Sequence, residues 1–182
     1  ATSASFCAAV SNAGGLGGIG TLLRPLEAIR RDLDAVRGLT PRSFAVNHVT
    51  PTLLPEAFEW TLSLAPKVVS FALGDPGDLI HRVHGAGSLA QVQVTTVTQA
   101  VQAVASGADV ILAQGGEAGG YSGEVSTLAL VPQVVDAVAP IPVVAAGGIF
   151  DGRGLAAALM LGAAGVNLGT RFLASNESQI EP

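Results

Sequence analysis

The chain has 182 residues, a net charge of −5 and an apolar fraction of 49%, of which little is aromatic (4%). That is enough for one domain with a substantial core, and an acidic balance without a basic cluster argues against nucleic acid or an anionic membrane as partner. No apolar run reaches the roughly 18 residues of a membrane span, no signal-peptide pattern opens the chain, and the single cysteine, Cys7, excludes an intrachain disulfide, so a cytoplasmic setting is expected.

Helix and strand signals alternate along the sequence. A helical pattern over Ser3–Asn12 leads to a short strand at Leu16–Gly20. Helix Pro25–Arg37 precedes strand Ser43–His48, and helix Pro55–Leu64 precedes strand Lys67–Leu73. Then come Gly77–Gly85 and Ser88–Val94, Val97–Ser106 and Asp109–Gln114, Leu128–Val138 and Pro142–Ala146, and Arg153–Leu161 and Gly165–Gly169. Pro25 and Pro55 suit first-turn positions, where a missing N–H costs nothing. Seven strands, each preceded by a helix, predict a parallel sheet. The expectation is an α/β fold, a (β/α)8 TIM barrel lacking its first strand and last helix in this chain, as one domain over 1–182. A doubly wound open sheet is the alternative. The unpaired edges of such a barrel call for a further segment, from a longer polypeptide or from another copy in a homo-oligomer.

Two glycine-bearing features need separating. Gly15-Leu-Gly-Gly-Ile-Gly20 matches a dinucleotide fingerprint, but that motif needs a strand before it and a helix within it. Here a helix precedes and the next helix waits until Pro25, so a tight helix-to-strand turn is the expectation. By contrast, Asp109–Gln114 is followed by a loop with five glycines in nine residues, Gly115 to Gly123. Pro142–Ala146 ends in Gly147-Gly148, and Gly165–Gly169 in Gly-Thr. Loops after the last strands of a parallel barrel commonly hold a phosphate on backbone N–H groups. The loop after Gln114 also presents Glu117, Tyr121 and Ser122 where barrel active sites sit.

Five stretches carry a family resemblance: Ser11-Asn-Ala-Gly-Gly-Leu-Gly17, Phe44-Ala-Val-Asn47, Ala113-Gln-Gly-Gly-Glu-Ala-Gly-Gly120, Ala145-Ala-Gly-Gly-Ile-Phe-Asp-Gly-Arg-Gly154 and Leu161-Gly-Ala-Ala-Gly-Val-Asn-Leu-Gly-Thr-Arg-Phe172. Together they resemble the nitronate monooxygenases, formerly 2-nitropropane dioxygenases, over nearly the whole chain. The wider superfamily includes enoyl-ACP and quinone reductases. The resemblance implies a TIM barrel holding FMN, with the family's first strand lying before Ala1. Its FMN contacts fall on Asn47, Gln114, Gly119, Gly148, Asn167, Leu168, Gly169 and Thr170. It implies oxidation of an alkyl nitronate with O2; an NAD(P)H-dependent flavin reductase and a non-catalytic flavin-binding protein are the alternatives.

The family pattern Glu-Ala-Gly-Gly-His is broken by Tyr121. Tyrosine, with a reference pKa near 10 against about 6.5 for histidine, donates a hydrogen bond at neutral pH and does not take a proton. A preformed nitronate anion would need only that. His48, beside Asn47, is offered as a replacement base, although neighbouring strand residues face opposite sides. His81 and His84 are expected to face solvent, and Asp151 to cap the helix after it. No residue spacing suggests a metal site.

Overall fold

The computed structural model describes residues 2–121, 123–175, 177 and 178. Seven parallel strands form one sheet in strict chain order: β1 (Gly17–Gly20), β2 (Phe44–Val49), β3 (Val68–Ala72), β4 (Leu89–Val94), β5 (Val110–Gln114), β6 (Val143–Ala146) and β7 (Gly165–Asn167). Sequential order with no reversal is barrel topology and rules out the doubly wound alternative, which needs a switch point. The helices are α1 (Ala4–Asn12), α2 (Leu26–Leu39), α3 (Pro55–Leu64), α4 (Leu79–Gly85), α5 (Val97–Ala105), α6 (Thr127–Val138), α7 (Gly152–Met160) and α8 (Thr170–Leu173). The last strand is shorter than expected. It ends at Asn167, and Thr170, read as following a strand, opens the four-residue α8.

The helices follow from spacing and caps. α2 buries Ile29, Leu33 and Val36 on one stripe, the positions a 3.6-residue period places together. Pro25 sits at the N-cap of α2 and Pro55 at the first position of α3. Thr96 caps α5 by accepting from Gln99 N–H, and Asp151 caps α7 by accepting from Arg153 N–H at 2.9 Å.

Strands β1 to β6 each bury a face against this helical layer. Ile19, Val46, Val69, Phe71, Ile111, Ala113 and Ala145 are fully enclosed. One apolar cluster centres on Phe58, Phe71, Ile80 and Ile111, and a second on Cys7, Ile19, Ile29 and Leu33. Cys7 is a core residue, and burial pushes its thiol up to about 11. The carbonyl of Cys7 explains the decoy fingerprint: a Cβ on Gly17 would sit 2.0 Å from it. Glycine there lets α1 lie directly on β1.

The other sheet face is unlike the continuous apolar surface usual for parallel strands. The register aligns Gly20 with Asn47, Asn47 with Ser70, and Ser70 with Gln91, one transverse row of small or neutral polar residues. The sheet curls round this face: a cavity of about 500 Å³ is lined by residues of β1, β2, β3, β4, β5 and β7 together. Phe6 on α1 meets Phe172 on α8 edge to face, with ring centroids 6.0 Å apart. The elements beside the two edge strands therefore touch. No described helix is long and apolar enough to cross a membrane.

Candidate functional site

The loops after β5, β6 and β7 meet at the C-terminal end of the sheet and enclose a cavity of about 720 Å³. Its wall takes Gln114, Glu117 and Gly119 from the first loop, Gly147, Gly148 and Phe150 from the second, and Asn167, Gly169, Thr170 and Arg171 from the third. Asn167 and Gly169 also line the 500 Å³ cavity inside the curled sheet, where Asn47, Ser70, Gln91, Gln93 and Leu168 lie. The two spaces therefore meet at the end of β7. All eight residues expected to contact a cofactor line one space or the other.

The glycines make this packing possible. Gly147 has φ +113°, and a Cβ on it would lie 2.6 Å from Thr127 Oγ1. Gly115 is tighter still, with Thr127 Oγ1 only 2.2 Å from where its Cβ would be. Thr127, the first residue of α6, is thus the post on which two loops close. Glu117 completes the joint: one carboxylate oxygen accepts Thr127 N–H and faces its hydroxyl, each at 2.8 Å. Ser126, the nominal N-cap, makes no side-chain cap bond, so a distant loop residue caps α6. The Thr127 N–H holds the Glu117 carboxyl below its ordinary range. A carboxylate kept ionised and engaged orders the loop and is a poor proton acceptor.

Gln114 donates from Nε2 to the Tyr121 carbonyl at 2.6 Å. Its amide thereby fixes the glycine-rich loop against the strand that carries it. The Tyr121 side chain itself is 73% exposed and lines neither cavity; the loop holds its phenol out toward solvent, not over the rim. Ser122 lies outside the described residues.

The base expected of His48 is corrected. His48 is on the helix-facing side of β2, fully enclosed, with its ring edge to face on Phe58 and its nitrogens 3.2 Å from Thr21 Oγ1 and 3.1 Å from Thr61 Oγ1. The strand continues to Val49, so the pleat sends Asn47 inward and His48 outward. Burial lowers the imidazole to about 4. His81 and His84 are exposed, and His84 pairs with Asp109 at 2.8 Å.

The interior presents neutral donors and acceptors. The Asn47, Gln93 and Asn167 amides make no side-chain hydrogen bond to a described residue, whereas Gln91 donates to Ser70 at 3.1 Å. At the outer end Arg171 stacks on the Phe150 ring, 4.9 Å from its centroid, and has no carboxylate partner among the described residues. The family model for nitronate monooxygenase matches residues 54–182. The chain belongs to the nitronate monooxygenase family.

Its relatives are diverse in activity. The chain is 41% identical to (3aS,4S,5R,7aS)-5-hydroxy-7a-methyl-1-oxo-octahydro-1H-indene-4-carboxyl-CoA dehydrogenase of Mycobacterium tuberculosis, over 97% of this chain and 51% of that protein. It is 33% identical to a probable nitronate monooxygenase of Staphylococcus haemolyticus, over 97% of this chain and 63% of that protein. Among solved structures, FabK from Thermotoga maritima superposes with a TM-score of 0.92 at 39% identity, covering 99% of this chain and 58% of the other. Nitroalkane oxidase from Streptomyces ansochromogenes gives 0.87 at 34% identity, covering 97% and 63%. The chain thus spans about half the length of the dehydrogenase it matches.

Sequence reasoning overlooked five lining residues that this nitronate monooxygenase family member brings to the site. Ser70, Gln91 and Gln93 form part of the polar interior; the alternation in Leu89-Ala-Gln-Val-Gln-Val94 was the available signal. Phe150 and Arg171 lie inside the family motifs, but nothing in the sequence pairs a loop aromatic with a cation 21 positions on.

Proposed function

We propose that this chain supplies the flavin-holding part of an FMN-dependent oxidoreductase. One observation carries the reading: two cavities join at Asn167 and Gly169, one rimmed by glycines and a cation, the other lined by uncharged amides. The residues fit a group with an anionic phosphate tail and a flat polar ring. Gly148, Gly169 and Thr170 offer backbone N–H groups, and Arg171 the positive charge, to the phosphate. Asn47, Gln93 and Asn167 offer amides that donate and accept along the ring or its side chain. When bound, the flavin supplies the electron transfer. The chain's own residues orient it, and the Gln114–Tyr121 and Glu117–Thr127 contacts keep the loop closed over one side.

The substrate reading follows from what the wall lacks. Among the described lining residues, Glu117 is engaged, Arg171 is a cation and no histidine is present, so removal of a carbon-bound proton has no evident base. That favours a donor that arrives as an anion, an alkyl nitronate, with O2 as acceptor. A second reading, oxidation of an acyl-CoA thioester, is favoured by the 41% identity to the carboxyl-CoA dehydrogenase. The deciding experiment uses the full-length enzyme: the flavin is released and identified, and the holoprotein is mixed anaerobically with propyl nitronate, with NADH, or with an acyl-CoA. Bleaching by nitronate alone supports the first reading. Bleaching by NADH makes the enzyme a reductase, and bleaching by the thioester alone makes it a dehydrogenase. A colourless protein that takes up no FMN sinks the proposal.

A further inference from the structure

His48 is the enclosed histidine, and both ring nitrogens face hydroxyls. Proton counting and bond lengths together set the arrangement. The Thr61 hydroxyl gives its one proton to the Ala57 carbonyl, 2.8 Å away and one turn back in α3. Toward His48 it can only accept, so Nε2 carries the hydrogen. Nδ1 of the neutral ring then needs a donor, and the Thr21 hydroxyl is 3.2 Å away. That hydroxyl has another acceptor within 3.1 Å, the Asn47 carbonyl, but this carbonyl already receives Thr21 N–H at 3.0 Å. The Ala57 carbonyl is likewise already engaged, by Thr61 N–H within α3, but the hydroxyl bond to it is the shorter, 2.8 Å against 3.1 Å, so Thr61 keeps its acceptor and the Thr21 hydroxyl turns to Nδ1.

The chain from Ala57 through Thr61 and His48 to Thr21 therefore ties α3 to the residue that follows β1, across the end of β2. Asn47 shares a peptide unit with His48 and sits on the opposite face, where its amide lines the interior cavity without a hydrogen-bond partner among the described residues. We infer that His48 is a positioning residue: as the Nε2–H tautomer it locks the end of β2 and so fixes where the Asn47 amide meets the flavin. This rests on the flavin reading above.

The test uses the full-length enzyme. Long-range 1H–15N spectra at pH 7 report the tautomer without any ligand; the Nε2–H form is expected, and an Nδ1–H form overturns the inference. FMN dissociation constants are then measured by fluorescence titration. His48→Phe keeps the ring and loses both bonds, and is expected to weaken FMN binding about tenfold, the scale of one lost hydrogen bond. His48→Gln can donate to Thr61 and accept from Thr21, and is expected to restore affinity to within about twofold. Thr21→Val gives the same loss as His48→Phe and serves if the latter does not fold. A folded His48→Phe or Thr21→Val with wild-type FMN affinity overturns the positioning role. A wild-type enzyme that binds no FMN overturns the flavin reading, and the positioning role with it, whatever the tautomer.

Discussion

Gln114 and Tyr121 are joined by a 2.6 Å hydrogen bond from the side-chain amide of one to the main-chain carbonyl of the other. The bond closes a strand end onto its own glycine-rich loop, and Gln114 is only 8% exposed. Replacing Gln114 with Leu preserves the bulk and leaves the carbonyl without its donor. Loss of a buried hydrogen bond of this kind costs about 1 kcal/mol. Hydrogen exchange of amides in the loop from Gly115 to Val125 should then rise about fivefold, with exchange in β2 and β3 unchanged.

Glu117 caps a helix from a distance. Removing its carboxylate leaves Thr127 N–H and hydroxyl without that partner, so Glu117→Ala should cost about 1 kcal/mol, the usual value of a lost N-cap. The carboxyl is held below its ordinary range by Thr127 N–H. Its contribution is therefore present above the ordinary carboxylate pKa and is lost as the pH falls through the lowered native one. Urea unfolding at pH 7 and in acid should show the variant and wild type converging as the pH drops.

His48 makes the opposite kind of statement about pH. The folded state holds its imidazole at about 4, against an ordinary 6.5. Between those values the unfolded chain binds a proton that the native state does not. Stability is thus full above pH 6.5 and falls as the pH drops to about 4, by at most about 3 kcal/mol. The slope should vanish in His48→Gln, which has nothing to titrate there. An unchanged slope in that variant would assign the acid sensitivity to other groups.

Legibility in the sequence tracked the range of the interaction. Strand ends such as Gln114 and Ala146 were readable because burial and glycine punctuation are local signals. The residues expected to contact a cofactor lie along the two cavities because family motifs sit on those ends. The facing of single side chains was not readable. The ring of His48 points into the helical layer because β2 runs one residue further than expected, to Val49, and that one residue decides which side of a pleated strand is which. Tyr121 was placed near the rim by its motif, but its exposure depends on how a loop of glycines folds onto Thr127. Arg171 escaped notice because its partner Phe150 belongs to a different loop.

Two adjacent glycines of β1 should respond oppositely to alanine. At Gly17 a Cβ would lie 2.0 Å from the Cys7 carbonyl, so α1 must move away from the sheet; overpacking of this kind costs about 3 kcal/mol. At Gly18 no atom lies within 4 Å of the added Cβ, and a strand gains about 0.5 kcal/mol from losing a glycine. Gly17→Ala should lower the unfolding midpoint sharply, while Gly18→Ala leaves it unchanged or raised.

Arg171 offers a test of the phosphate end of the proposed cofactor. It lies on Phe150 in the wall of the larger cavity and does not line the interior one, where Asn47 and Gln93 lie. Arg171→Gln removes the charge and keeps a planar polar head. A charge-assisted contact to phosphate contributes about 1.5–3 kcal/mol, so FMN affinity should drop at least tenfold. Riboflavin, which has the same ring and no phosphate, should bind the variant and the wild type equally. Equal losses for both ligands would show that Arg171 shapes the cavity wall and does not read the phosphate. Equal retention would move the phosphate to another part of the rim. Salt gives an independent handle: the FMN affinity of the wild type should fall with ionic strength, and that of Arg171→Gln should fall less steeply.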